Sequence, residues 1–335
     1  MTDQHSTPGV KPLSEMTFNE MLHVSFKSDD TEEWLDVHFT RPVGLFCALG
    51  WMRLNVHPNV VTIISIFLGV AAGVMFYHTD LTHNIIGVVL LMLANFCDST
   101  DGQMARLTGK KTLLGRVLDG FAGDVWFVAI YIAIALRLTI MPMPGTDIPW
   151  GYLVWMLCIV AGIFCHSPQA ALADYYRQVH LWMLKGKAGS ELDNYQQQRH
   201  IYETVPADLP LFQRMLSKAF HYNYANYCRS QEQQTPWFQR LYAMLTQRYG
   251  DVECVPEQLR EEFLKGSRPL MKYTNLLTFN TRAICLYVAC LSNVPWLFPV
   301  FEMVVLTCLY IHMHKQHETL CHDICEKYFP QQTQE

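Results

Sequence analysis

The sequence predicts an all-α integral membrane protein, six transmembrane helices with a cytosolic helical insertion, and three observations carry that expectation. Half of the 335 residues are hydrophobic and only 16% are charged, which is little charge for a soluble chain of this length. The apolar residues gather in six stretches, at about 58–77, 84–106, 117–138, 150–172, 276–293 and 295–313, each long enough for a tilted or partly interfacial helix. Mean hydropathy is nevertheless only +0.08, so long polar segments must separate the apolar ones.

Taken in order, residues 1–56 form a cytosolic N-terminal segment whose first 40 residues are polar, with no basic flank leading into an apolar core and cleavage site. No signal peptide is expected. Within it, 43–54 is mildly amphipathic, with Arg41 and Arg53 at its ends and Phe46, Leu49, Trp51 and Leu54 between them. That pattern suits a helix lying along the membrane interface and equally a helix packed on the protein. Residues 57–173 hold spans one to four.

Residues 174–274 are rich in Gln, Tyr, Arg and Glu, show helical periodicity around 209–220 and 236–248, and are broken by Pro206, Pro210, Pro236 and Pro256. They read as a cytosolic helical insertion. Spans five and six occupy 275–314, and 315–335 is a cytosolic tail. The loops at 79–84, 139–149 and 292–295 lack Lys and Arg, with Arg137 at the edge of one. Arg41, Arg53, Arg106, Lys110, Lys111, Arg116, Lys315 and the basic residues of 174–274 fall on the other side. The positive-inside rule then puts both termini in the cytosol.

Two classes are excluded at this level. A net charge of −5 argues against nucleic acid as a partner. Eleven cysteines, several inside apolar runs and without paired spacing, argue against a disulfide framework.

Four charged groups at the edges of spans two and three need an explanation, since ionisable residues in a span are costly and usually mark a site or a partner. The run is Asp98-Ser-Thr-Asp101-Gly102-Gln-Met-Ala105-Arg106, then Gly115 and Asp119. Asp98 and Asp101 are three apart and share a helix face, and a helical hairpin brings Asp119 opposite them. Carboxylates alone suit a hard cation such as Mg²⁺ or Mn²⁺, which neutralises a diphosphate. Gly102, Ala105 and Gly115 let helix backbones and a flat nucleotide approach closely, and small residues also serve plain helix packing in lipid.

This run resembles the signature of the CDP-alcohol phosphatidyltransferase family, D-x2-D-G-x2-A-R-x8-G-x3-D-x3-D, at Asp98, Asp101, Gly102, Ala105, Arg106, Gly115 and Asp119. His57-Pro58-Asn59-Val-Val-Thr62 is similar to the family's Pro-Asn-x-x-Thr start of its first helix. The resemblance covers 41–140 well, the last two spans by topology, and leaves 174–274 as an addition.

It implies a metal-dependent transfer of a phospho-group from a CDP-linked donor to a hydroxyl acceptor, with release of CMP. Membrane lipids would surround a homodimer. Asp98, Asp101 and Asp119 would hold the metals, Arg106 would steady the diphosphate, and Asn59 and Thr62 would border the cytidine pocket. Both CDP-diacylglycerol with a polar acceptor and a soluble CDP-alcohol with a lipid acceptor fit.

The family's fourth aspartate, its general base and a further metal ligand, falls at Gly123 here, with Asp124 next to it. On a regular helix Asp124 lies about 140° from Asp119 where residue 123 lies about 40° away. A one-residue π-bulge near Gly120 or Gly123 restores the facing, and Asp124 is then expected to take the fourth role as general base and metal ligand; otherwise the site has lost one carboxylate.

Elsewhere, Arg282 near the start of span five is a candidate ligand for a second anion of the substrate, or snorkels to the interface. Glu302 in span six is structural or pairs across helices. His312, His314, His317, Cys321, His322 and Cys325 follow no zinc spacing and read as a solvated helix face. Two rival readings remain: a scaffold in which Gly123 marks lost catalysis, and a prenyltransferase, loosely suggested by Asn95-x-x-Asp98-x-x-Asp101 but lacking a second aspartate-rich motif.

Overall fold

The computed structural model describes residues 15–25, 28, 30–109 and 112–330. Lys110 and Lys111, which enter the expected orientation, and both ends of the chain lie outside the described residues. The described chain is helical, with an isolated bridge between Pro142 and Pro149 as its only strand-like pairing.

A short α1 (Phe18–Ser25) leads to a π-turn (Asp36–Thr40) and α2 (Arg41–Arg53). The bundle proper starts with α3 (Pro58–Tyr77), α4 (Leu81–Thr108) and α5 (Leu113–Thr139). Their ends are written in the sequence. Pro58 sits in the first turn of α3 behind His57, whose ring Nδ1 accepts the Asn59 N–H at 3.2 Å. Asp80 caps α4, Gly109 ends it in the left-handed region (φ 68°), and Thr112 caps α5, each a residue type suited to its place.

A single helix, α6 (Leu153–Lys185), follows, with a π-turn at Val160–His166. The insertion adds α7 (Tyr195–Glu203), α8 (Leu211–Gln234), α9 (Pro236–Tyr249), α10 (Glu257–Ser267) and α11 (Met271–Leu276). Pro210, Pro236 and Pro256 stand at the starts of α8, α9 and α10, as expected of residues that cannot continue a helix. The chain closes with α12 (Phe279–Leu291) and α13 (Leu297–Tyr328), the latter with a π-turn at Glu302–Leu306.

Among the described residues five helices are long and apolar enough to cross a membrane: α3, α4, α5, α6 and α13. The sixth expected span, 276–293, is different. Its helical part, α12, has 13 residues, about 20 Å at 1.5 Å per residue, against a hydrocarbon thickness of about 30 Å. It packs on α4, with Phe279 against Trp126 of α5 and Asn293, just past its end, at Arg137.

Two cores result. In the bundle Phe76, Leu91, Trp126, Ile134, Leu286 and Phe298 pack together, while Phe67, Val128, Ile163 and Phe164 point outward and exposed, the arrangement a lipid surround requires. The far end is tied by Arg137, which is buried and donates to Phe76 O and Asn84 Oδ1 at 2.9 Å each and to Asn293 Oδ1 at 2.7 Å.

The second core joins the insertion to the ends of α6 and α13: Tyr176, Phe238, Leu241, Phe263, Met313 and Cys321 are buried together. Helix therefore runs straight through the expected boundaries at 173/174 and 314/315. At 33 and 32 residues, both helices extend about 50 Å, well past a bilayer's thickness, and their overhangs are the framework of an extramembrane body.

Helix α2 packs one face on α4. Thr100 Oγ1 donates to Gly44 O at 3.2 Å and Gln103 Nε2 to Arg41 O at 3.0 Å, while Phe46 on the opposite side is 75% exposed.

Candidate metal and nucleotide site

The antiparallel α4 and α5 bring Asp98, Asp101 and Asp119 together at the end of the bundle where the motif lies. One carboxylate oxygen from each comes within 4.8 Å of the others. Asp101 is buried and accepts a hydrogen bond from the Thr62 hydroxyl of α3, whereas Asp119 is exposed toward the cavity. Three like charges this close on apolar helices repel strongly in a medium of low dielectric. A carboxylate-only donor set of this kind fits a divalent, oxygen-preferring cation.

Asp101 and Asp119 line a cavity of about 490 Å³, a volume suited to a nucleotide-sized ligand, with Asp98 grouped beside them. Pro58, Asn59 and Thr62 of α3, Gly102, Ala105 and Arg106 of α4, and Thr112, Gly115 and Arg116 of α5 also line it. Arg106 Nε and Nη2 are buried and have no hydrogen-bond partner. A guanidinium left in that state is costly, and an anionic ligand in the cavity would satisfy it in the planar, two-pronged manner Arg favours.

Gly115 is set by close approach. A Cβ there would stand 2.8 Å from Asn59 Oδ1 and 3.0 Å from Thr112 Oγ1. The same Thr112 hydroxyl accepts the Gly115 N–H at 2.9 Å and the Asn59 amide at 3.4 Å. The cap of α5 and the start of α3 are thus locked together, and a side chain at 115 would push them apart.

Of the sequence-based candidates, Asn59, Thr62, Asp98, Asp101, Gly102, Ala105, Arg106, Gly115 and Asp119 converge here. Asp124 does not. Helix α5 is α-helical throughout Leu113–Thr139, so the π-bulge expected near Gly120 or Gly123 is absent and Asp124 keeps the facing of a regular helix. It is exposed, turned toward α8 and close enough for its charge to act on the Tyr227 phenol. It belongs neither to the carboxylate group nor to the cavity lining.

Arg282 also lies elsewhere, and its expected role as ligand for a second anion is corrected. It is fully buried, with Nη1 2.6 Å from Glu302 Oε1, Nη2 donating to Gln169 Oε1 at 3.0 Å, and both Nε and Nη2 donating to Leu277 O. Glu302 Oε1 also meets His166 Nδ1 at 3.0 Å. Glu302 opens the π-turn of α13 and His166 closes that of α6, so these turns gather around a buried polar network instead of the carboxylate site.

The sequence reading missed Thr112, Arg116, Gln178 and residues 188–191, all of which line the cavity. Thr112 had a signal, a threonine directly before an apolar helical run. Gln178 and 188–191 had none, because they reach the site only through the overhang of α6. A second grouping, His78, Asp80 and His83, lies at the far end. There Asp80 caps α4 by accepting the His83 N–H at 3.1 Å, and the two imidazoles stack at 4.2 Å. His83 Nδ1 also meets Asp80 Oδ2 at 2.7 Å, so Asp80 is engaged as the cap of α4.

Residues 55–182 match the model of CDP-alcohol phosphatidyltransferase. It is 34% identical over 83 residues to archaetidylinositol phosphate synthase of Pyrococcus horikoshii, a match covering 25% of this chain and 43% of the relative. It is 39% identical over 67 residues to an uncharacterized protein of Aquifex aeolicus, covering 20% and 33%. The chain thus spans less than half the length of each of these curated relatives.

Proposed function

We propose that this protein is a membrane phosphotransferase of phospholipid synthesis that moves a phospho-group from a CDP-linked donor to a hydroxyl and releases CMP. The observation that carries the reading is the convergence of Asp101, Asp119 and the unsatisfied Arg106 guanidinium on one nucleotide-sized cavity inside the matched segment, with Asp98 grouped with the two aspartates. The relative's name, a synthase of an inositol phosphate lipid, supports a lipid product.

Asp98, Asp101 and Asp119 would hold Mg²⁺ or Mn²⁺, which when bound supplies positive charge against the diphosphate. Thr62 fixes Asp101 by hydrogen bonding. Arg106 donates to a phosphate oxygen. Asn59 and Gly115 form the narrow cradle for the flat base. The acceptor oxygen bonds to the β-phosphorus, the bond to the CMP oxygen breaks, and the hydroxyl proton passes to a carboxylate of the cavity, of which Asp119 is the exposed one. Asp124, outside the cavity, has no part in this step.

The motif end would face the cytosol, because Arg41, Arg53, Arg106 and Arg116 lie there with the insertion. Labelling of the exposed Cys254 by a membrane-impermeant maleimide in sealed cells and in lysates reads this directly. Cross-linking in native membranes reads the expected homodimer.

Purified protein with labelled CDP-diacylglycerol or CDP-ethanolamine, Mn²⁺ or Mg²⁺ and a panel of acceptors tests the activity. CMP release with one donor class supports the proposal and chooses the donor. No release from any donor, with Asp98→Ala leaving cellular lipids unchanged, would favour a scaffold.

A further inference from the structure

One wall of the cavity comes from beyond the family-matched segment. Residues 188–191 line it there, next to Gln178 near the end of the matched segment, in a loop with a short 3₁₀ turn at Lys187–Gly189 that follows α6. Both ends of this loop are fixed. The Lys187 N–H donates to Glu253 Oε1 at 3.0 Å, and the Glu191 N–H donates to Gln178 Oε1 at 2.9 Å.

Gly186 begins the loop with φ 74° and ψ −171°, a region essentially open only to glycine. A Cβ there would lie 2.1 Å from Glu253 Oε1. The missing side chain is what lets Glu253, 67 residues further on, reach the loop. Asn59 and Thr112 stand at the ends of their helices and the loop follows the overhang of α6. The ligand portion held between these walls is therefore the membrane-distal, water-facing part. Asp98 and Asp101 sit deeper along α4. A donor whose diphosphate rests at the carboxylates turns its nucleoside toward the loop.

We propose that the 186–191 loop is a nucleoside-recognition wall contributed by the insertion, with Glu253 as the residue that positions it. This rests on the function proposed above. Cytidine offers hydroxyl and amino donors as well as carbonyl acceptors, and Ser190, Gln178 and the loop backbone supply matching groups. A loosened loop weakens nucleoside binding without disturbing the carboxylates.

The test uses the full-length protein in detergent with Mg²⁺, measuring CMP affinity by calorimetry alongside kcat and the separate KM values for donor and acceptor. Glu253→Ala and Gly186→Ala should each weaken CMP binding and raise donor KM by roughly tenfold, the loss of one or two hydrogen bonds. The acceptor KM and kcat should stay within about threefold. Glu253→Gln, whose amide oxygen still accepts the Lys187 N–H, should restore affinity.

Ser190→Trp, a substitution in a partly exposed loop that the bundle does not need, should fill the wall and abolish CMP binding while leaving the melting temperature unchanged. Unaltered CMP affinity in Glu253→Ala or Ser190→Trp overturns the proposal, as does a rise in acceptor KM alone. A wild-type protein that binds neither CMP nor CDP would overturn the function and the wall together. Wild-type binding with indifferent variants would overturn the wall only.

Discussion

Arg106 and Asp98 carry different demands, and their variants separate them. Asp98→Ala removes one of three oxygen donors and is expected to reduce CMP release at least about 100-fold, as befits a charge effect of several kcal/mol. Added Mn²⁺ should recover part of it by mass action. Arg106→Ala should lower kcat/KM by roughly 10- to 100-fold through the lost charged hydrogen bonds, and Arg106→Lys should recover little, because an ammonium cannot reproduce the planar fork. Asp124→Asn should keep CMP release within about threefold of wild type; a fall of two orders of magnitude would return Asp124 to the chemistry. Seven motif positions made most of this site legible in the sequence. The side-chain facing at Asp124 was only half legible: the 100° step predicts a carboxylate turned away, and whether a bulge intervenes depends on tertiary packing that no local pattern encodes.

Among the elements, α12 and α13 show where pattern reading stops. An apolar run at 276–293 resembles a span, yet Thr278 begins the helix late and α12 is 13 residues long. Arg282 near its start looked like an anion ligand because a cation in such a run must meet something. Its partner, Glu302, is 20 positions away on another helix, a pairing that spacing alone does not reveal. Removing one member strands the other. Arg282→Ala is expected to destabilise the protein by about 3–5 kcal/mol, the cost of an uncompensated buried charge, seen as a lower melting temperature in detergent. Removing Arg282 and Glu302 together should cost less than the single change.

At the scale of the whole molecule, the N-terminal segment straps the bundle to the insertion. Glu33 accepts from the Thr278 hydroxyl and from Asn280 Nδ2 at 2.7 Å, and Asp30 meets Arg268 at 3.0 Å. Burial raises the Glu33 carboxyl above its ordinary 4.5, against the lowering effect of those two hydrogen bonds. Because the folded value is the higher one, the folded state binds the proton more tightly, and stability falls as pH rises from about 4.5 through the raised value. Hydrogen-exchange protection across residues 30–40, corrected for the intrinsic rise of exchange with pH, should therefore fall over that interval, and Glu33→Ala should flatten the dependence. Constant protection in the wild type would remove Glu33 from the account. Residues that meet across such distances, Glu33 with Asn280 or Gly186 with Glu253, carry no sequence signal, because their proximity is a product of the fold.

Helices α6 and α13 pass from the bundle into the extramembrane body without a break, and this has a consequence for how the molecule comes apart. A body hung on flexible linkers would melt by itself and could be clipped away. Here the packing of each half fixes the helices that frame the other, so one cooperative unfolding transition is expected. Proteolytic nicking at the exposed 204–210 connection should leave the two pieces associated.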